Sequence, residues 1–318
     1  MSLASSPEVA AAYAHCRAIA KREAKNFYYS FRVLPQHKSD AMCAVYAFMR
    51  KADDLADDES LSLDTRRQAM VTWTAEWRDS RLTTSDDPIF LAVNDTQRRF
   101  DIPDLLLDQL IAGTTLDLQP QPEGVQILEI PTPTGPPRTI QLYESVAALH
   151  HYCYLVASVV GLVCIRIFGY TDPRGEQLAI DTGIAFQLTN ILRDIKEDAD
   201  RGRIYLPADL LREHNVTPER ILALAAGASP QTNELALLRT IERHAQTCYR
   251  SSTQLIPLLD PDARPSMRVL VRIYHRLLDL IAANPAAVFT TRVSVPTSRK
   301  LSILGIGILQ SLKARLFA

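Results

Sequence analysis

Excess charge is the first thing this 318-residue chain lacks: 35 Lys and Arg stand against 36 Asp and Glu, a formal net charge of −1. A near-neutral chain offers no electrostatic footprint for nucleic acid, so any unusual field must be local. Cysteine builds no framework either. Cys16, Cys43, Cys153, Cys164 and Cys248 form no CxxC pair and no Cys/His metal spacing. An odd number in apolar surroundings reads as reduced, buried thiols of a cytoplasmic protein. There is no Gly/Ser-rich linker, no fixed-period repeat and no GxGxxG dinucleotide fingerprint. The opening MSLASSPEVAAAYAHC has no basic region followed by an apolar core, so no signal peptide is expected. No apolar run is expected to span a membrane, which needs about 20 residues; the nearest seen is ILGIGIL.

What is present is helical periodicity. AVYAFMRKADDLADD, VAALHHYCYLVASVVGLVCIRIFG, RGEQLAIDTGIAFQLTNILRDIKEDA and MRVLVRIYHRLLDLIAA carry apolar residues at three- and four-residue spacing. Pro35, Pro88, Pro103, Pro207 and Pro218 fall at the boundaries. The expectation is one all-α domain over residues 1–318. Two segments stand out. Residues 118–145 concentrate prolines around β-favouring VQILEI and RTIQLY, so a hairpin across PTPTGPP and a long Pro-rich insertion are both open. Residues 296–318, PTSRKLSILGIGILQSLKARLFA, mix basic and apolar residues, as a helix packed on the body or one lying on a membrane would.

The chemistry is carried by two acidic clusters. In FMRKADDLADDES, five acids lie within seven residues after an apolar helical run. Asp53 and Asp57 are four apart, as are Asp54 and Asp58, so each pair shares a helix face. Like charges at that spacing cost about 0.2–0.5 kcal/mol per pair. Arg50 and Lys51 offset some of this, and a divalent cation would offset more, because hard oxygen ligands suit Mg²⁺. In QLTNILRDIKEDADRGRIYLP, Asn190, Asp194 and Asp198 line one face with Gln187 a turn earlier. Arg193, Arg201 and Arg203 surround them, and a guanidinium fork suits phosphate. Two such helices facing one another would hold metal ions and a diphosphate above an apolar cavity.

These stretches resemble the two aspartate-rich signatures of the squalene/phytoene synthase family. FYYSFRVLP, HYCYLVASVVG, IYHRLLDLI and TRVSV resemble further family segments, in family order across most of the chain. The resemblance implies a single-domain, all-α class I isoprenoid synthase bundle around a central apolar cavity. It implies metal-binding roles for Asp53, Asp57, Asn190, Asp194 and Asp198, and two or three Mg²⁺ with substrate. Diphosphate contacts fall to Arg50, Arg193, Arg203 and Arg292, with Gln187 lining the cavity. Tyr46, Tyr152 and Tyr274 fall near the diphosphates and cationic intermediates; each Tyr is otherwise readable as a core aromatic. Ala24, Lys25 and Asn26 depart from the family pattern before FYYSF, as does Leu155 after YCY.

The activity implied is head-to-head condensation of two prenyl diphosphates through a cyclopropylcarbinyl diphosphate, without NADPH at that step. Two C15 farnesyl chains giving presqualene diphosphate, on the squalene and hopanoid branch, are slightly favoured over two C20 geranylgeranyl chains giving phytoene. Cavity depth, set by Ala157, Val160, Leu188 and Ile191 among others, would decide. The expected setting is cytoplasmic, with peripheral contact on the inner membrane face. A head-to-tail synthase would show DDxxD on both helices, whereas the second site here reads NILRDIKED. A non-catalytic scaffold or a regulatory metal- or anion-binding bundle of the same fold is the rival of another class.

Overall fold

The computed structural model describes residues 6–58, 60–83, 85–119, 122–132 and 136–316. The first half is helical: α1 (Pro7–Glu23), α2 (Lys25–Phe31), α3 (Gln36–Ala56), α4 (Leu63–Asp79), α5 (Pro88–Arg99) and α6 (Asp104–Thr115). Starts are set by local chemistry. Ser6, Ser62 and Asp87 cap α1, α4 and α5 by accepting first-turn amides, and Pro7 and Pro88 follow two of these caps. A hairpin follows, β1 (Val125–Ile130) and β2 (Arg138–Tyr143). Then come α7 (Val146–Cys153), a π turn (Tyr154–Ser158), α8 (Val159–Phe168), α9 (Arg174–Asp200) and β3 (Arg203–Ile204). The chain continues through α10 (Ala208–Glu213), α11 (Pro218–Ala225), α12 (Thr232–Leu255), α13 (Arg264–Ala283) and α14 (Thr297–Leu316).

Two apolar clusters form the interior. One lies between α1, α3, α4, α5, α6 and α8, with Phe48, Trp73, Trp77 and Phe90 at its centre. The other gathers α9, α12, α13 and the hairpin. Phe27, Ile180 and Val271 pack against both.

The sequence reading found no run long enough to cross a membrane, and one helix here is. Val146–Phe168, 23 residues with a mean hydropathy of 1.8, meets that length and composition. His150, His151 and Arg166 interrupt its apolar sequence. In the fold it is a central helix packed on α9, α6 and α3. The Ser158 hydroxyl, at the end of the π turn, donates to the Ile180 carbonyl of α9 at 2.7 Å.

VQILEI and RTIQLY are the two strands of the hairpin, in antiparallel register from Val125↔Tyr143 to Ile130↔Arg138; residues 133–135 of the connection lie outside the described residues. The hairpin is more than an insertion. β2 pairs in parallel with β3, the two residues that leave α9. Gln141 N–H donates to the Gly202 carbonyl at 2.8 Å. Gly202 takes φ +77°, and a side chain there would meet the Thr139 carbonyl oxygen at 2.8 Å. Arg138 Nη2 donates to the carbonyls of Ala199 and Asp200, each at 2.5 Å. The hairpin therefore clasps the end of the helix that carries the second acidic motif.

Candidate active site

The first cluster sits where a helix stops. α3 ends at Ala56 and Asp57 is its C-cap, its N–H bonded to the Asp53 carbonyl at 2.8 Å. Asp53 and Asp54 therefore occupy the last turn and Asp57 the cap. Asp58 lies beyond the helix, where its Oδ1 accepts from the Ser60 amide at 3.1 Å and the Ser60 hydroxyl at 2.5 Å. This corrects the expectation of a second helical face through Asp54 and Asp58. Asp54 is paired with Arg50 at 2.6 Å, half-buried Asp53 is also partnered, and Asp57 is exposed. Glu59 lies outside the described residues.

No basic residue sits in the last turn of α3. Carboxylates at a helix C-terminus oppose the macrodipole, which already places about half a negative charge there. The last turn of α9, with Glu197, Asp198 and Asp200, repeats the pattern, again with no base in that turn. Both helix ends are electrostatically suited to a cation.

On α9 the second cluster is tightly knit. Arg193 grips Asp194 with two bonds, Nε to Oδ1 at 2.7 Å and Nη2 to Oδ2. Arg292, from the segment after α13, adds Nε to Asp194 Oδ1 at 3.1 Å and Nη1 to Glu197 Oε2 at 3.5 Å. Asn190 Nδ2 donates to Gln187 Oε1 at 3.3 Å, and Asn190 also bonds to the Tyr274 hydroxyl. Asn190 Oδ1 is buried and accepts no hydrogen bond. Arg50 offsets Asp54, as the sequence led one to expect, and Asp194 is compensated by both Arg193 and Arg292.

Asp198 faces inward. Burial, reinforced by the Asp194 charge, pushes its carboxyl up to about 7, against the opposing pull of Arg203 and Arg201. It lines a cavity of about 10 Å³ with Arg203, Tyr205, Ile191 and Ile195. That volume is about one water, far short of a hydrocarbon chain.

Tyr274, 4% exposed, belongs to this cluster. Burial raises its pKa, Arg193 opposing. Its ring stacks on Phe186 of α9 at 4.5 Å and packs on Phe27 of α2 at 5.7 Å. Phe31, four residues along the same face of α2, meets Tyr46 of α3 edge-on at 6.5 Å. Tyr46 lies beside Arg50, Glu23 and Asp53, and burial pushes its hydroxyl up to about 12. The run Tyr46–Phe31–Phe27–Tyr274–Phe186 thus links the two acidic clusters across α2.

Tyr152 joins a different group. Its ring packs on Tyr143 and Tyr205, and its hydroxyl donates to the Tyr205 hydroxyl at 3.3 Å. It approaches the acids through Tyr205, which lines the Asp198 cavity. Sequence reasoning passed over Phe27, Phe186 and Tyr205. The first and last stood inside quoted motifs, and the four-residue spacing of Phe186 and Asn190 would have put both on one helix face. Of the residues expected to set cavity depth, Leu188 and Ile191 are buried in the core, whereas Ala157 and Val160 remain partly accessible.

Among the described residues, no three His, Cys, Asp or Glu side chains converge into a ready-made metal shell. The donors fit an open Mg²⁺ site: hard oxygens at four-residue spacing, with the unclaimed Asn190 Oδ1 among them. Mg²⁺ keeps several waters and shares substrate phosphates, so it needs no closed protein cage.

Residues 20–299 match the family model described as Squalene/phytoene synthase. The chain is 33% identical over 306 residues to a phytoene synthase of Mycobacterium tuberculosis, covering 96% of this chain and 93% of that one. It is 31% identical to the 15-cis-phytoene synthase of Synechococcus elongatus, over 94% of this chain and 93% of the other. Among solved structures, a dehydrosqualene synthase in complex with ligand superposes with TM-score 0.75 at 27% identity, over 96% of this chain and 98% of that one. The squalene synthase HpnC from Alicyclobacillus acidocaldarius shares the fold, with TM-score 0.75 at 23% identity, over 89% and 97%.

Proposed function

The chain belongs to the squalene/phytoene synthase family of prenyltransferases, and from that premise we propose that it condenses two geranylgeranyl diphosphates head to head into phytoene. The observation that carries the choice of C20 chains is the near full-length identity with phytoene synthases. It moves the weight from the two C15 chains favoured on sequence alone.

The residue roles are those the resemblance implies, and the geometry supports them. Asp53 and Asp57 on one side, and Asn190, Asp194 and Asp198 on the other, would hold Mg²⁺. Bound there, Mg²⁺ supplies charge neutralisation to a departing diphosphate. Arg50, Arg193, Arg203 and Arg292 bind the diphosphate oxygens, Arg193 and Arg292 exchanging the Asp194 carboxylate for them. Loss of the first diphosphate leaves an allylic cation, and the double bond of the second substrate attacks it. Phe27, Phe186 and Tyr274 present ring faces that stabilise such cations. Proton loss then closes the cyclopropane, and departure of the second diphosphate, ring opening and loss of a second proton give the linear C40 product. Burial keeps the Tyr46 and Tyr274 hydroxyls protonated at neutral pH. They are donors, and the released diphosphate is the base.

The second reading, two farnesyl diphosphates, is favoured by the dehydrosqualene synthase likeness. Incubation of pure protein with each substrate, Mg²⁺ and no NADPH, followed by product identification, separates them. Phytoene is expected from the C20 substrate. A C30 product from the C15 substrate at higher kcat/KM transfers the assignment to the second reading, and no product from either removes both.

A further inference from the structure

We infer that α14 docks the protein on an anionic lipid surface. Five of the eleven large apolar side chains that stand exposed among the described residues fall within this helix: Leu301 at 52%, Ile306 at 43%, Ile308 at 37%, Leu309 at 62% and Leu312 at 51%. At about 100° per residue, Leu301, Ile308 and Leu312 form one stripe, with Leu309 beside it. The face beside the stripe, centred about 90° from it, is consumed by the fold. Leu304 is buried with Val33, Val269 and Ile273, the Ser311 hydroxyl donates to the Val33 carbonyl at 2.9 Å, and a Cβ on Gly307 would lie 2.3 Å from Val269 Cγ2. The helix is fixed to α13 and α2 and still presents a second apolar face outward.

The charge identifies the occupant. Residues 296–318 contain four basic residues, Arg299, Lys300, Lys313 and Arg315, and no acid, in a chain whose total is −1. The bases fall in the first and last turns with the apolar stripe between them. That pattern lies flat at a bilayer surface, its stripe in the acyl boundary and its bases at anionic headgroups. A protein partner would want polar variety along the stripe, and a second copy would bring the same positive charge to the interface.

The placement serves the site. α14 rests on α2 and α13, the helices that carry Phe27 and Tyr274. One layer therefore separates the bilayer from the aromatic run, a short exit for a hydrocarbon that water will not dissolve; this consequence alone rests on the proposed reaction.

The test is co-sedimentation of the full chain with vesicles of phosphatidylcholine plus phosphatidylglycerol, against phosphatidylcholine alone, over a salt series. The expected result is binding that needs the anionic lipid and weakens with salt. Leu301→Glu/Ile308→Glu/Leu312→Glu should lower partitioning at least about tenfold. Leu82→Glu/Leu105→Glu, more exposed and lying elsewhere, should leave it unchanged. Equal binding by the α14 variant overturns the inference, as does wild-type protein that stays in the supernatant. So does a dimer in sedimentation velocity that the α14 variant dissolves without any vesicle binding. None of these readouts uses turnover, so failure here leaves the prenyltransferase reading standing.

Discussion

Arg292 places its Nε 3.1 Å from Asp194 Oδ1, the same oxygen that Arg193 Nε reaches at 2.7 Å. One carboxylate is shared between two guanidinium groups from distant parts of the chain. In the proposed reaction these three groups must exchange partners, the acid turning to metal and the bases to diphosphate.

Removing one base tests that exchange. Arg292→Leu should tighten Mg²⁺ binding in the absence of substrate, since one competitor for Asp194 is gone. It should also lower kcat/KM, because a charge-assisted hydrogen bond to diphosphate is worth about 1.5–3 kcal/mol. Calorimetric titration with Mg²⁺ and steady-state kinetics read the two effects separately. Weaker metal binding together with weaker catalysis would contradict the exchange.

Asp198 makes a prediction about stability. Its folded pKa, about 7, lies above its ordinary 3.8. The native state therefore holds a proton more tightly than the unfolded chain does. The stability this adds is fully present below pH 3.8 and is lost as pH rises through 7. Asp198→Asn should be nearly neutral at pH 4 and should stabilise the metal-free protein at pH 8 by about 4 kcal/mol, a rise of about 3 pH units at about 1.4 kcal/mol each. Thermal melts in chelator at the two pH values check this. Turnover should fall strongly at the same time, since a buried acid is retained at such cost for function.

Tyr274 separates ring from hydroxyl. Tyr274→Phe keeps the contacts with Phe186 and Phe27 and removes only the bond to Asn190. It should cost about 1 kcal/mol of stability and leave most of the turnover. Tyr274→Leu removes the π face and should cost at least about tenfold in kcat, the loss of a cation–π contact of about 2 kcal/mol in a dry site. If both substitutions abolish turnover equally, the hydroxyl carries the chemistry.

Much of this site was legible before any coordinates. The four-residue spacing of Asn190, Asp194 and Asp198 marked a helix face, and α9 is continuous across all three. The first cluster was read less well, because periodicity does not reveal where a helix stops; the end at Ala56 turned an expected face into a C-cap. The pairing of Arg292 with Asp194 spans almost a hundred residues, and no local pattern encodes it. Tyr152 packs with Tyr143 and Tyr205, contacts made by tertiary folding that its own segment does not encode. The hairpin strands were visible in their β-branched residues, but their docking on β3 was not.

That docking gives the last prediction. Arg138 holds the final carbonyls of α9, and Gly202 lets β3 approach β2. The clasp fixes Arg203 and, through the helix end, Asp198. Arg138→Ala removes the side-chain donor to the Asp200 carbonyl and one donor to the Ala199 carbonyl, which Gly202 N–H still reaches at 3.0 Å, costing about 0.5–1.5 kcal/mol. Were the effect only on stability, KM and kcat would stay constant at temperatures well below the melt. A positioning role predicts a raised KM for the prenyl diphosphate at such temperatures, because Arg203 loses its fixed direction, with a smaller change in kcat. Arg138→Lys, which restores one donor without the fork, should fall between the two. Initial rates at low temperature, with folded fraction checked by circular dichroism, distinguish these outcomes; an unchanged KM in Arg138→Ala reduces the hairpin to a structural brace.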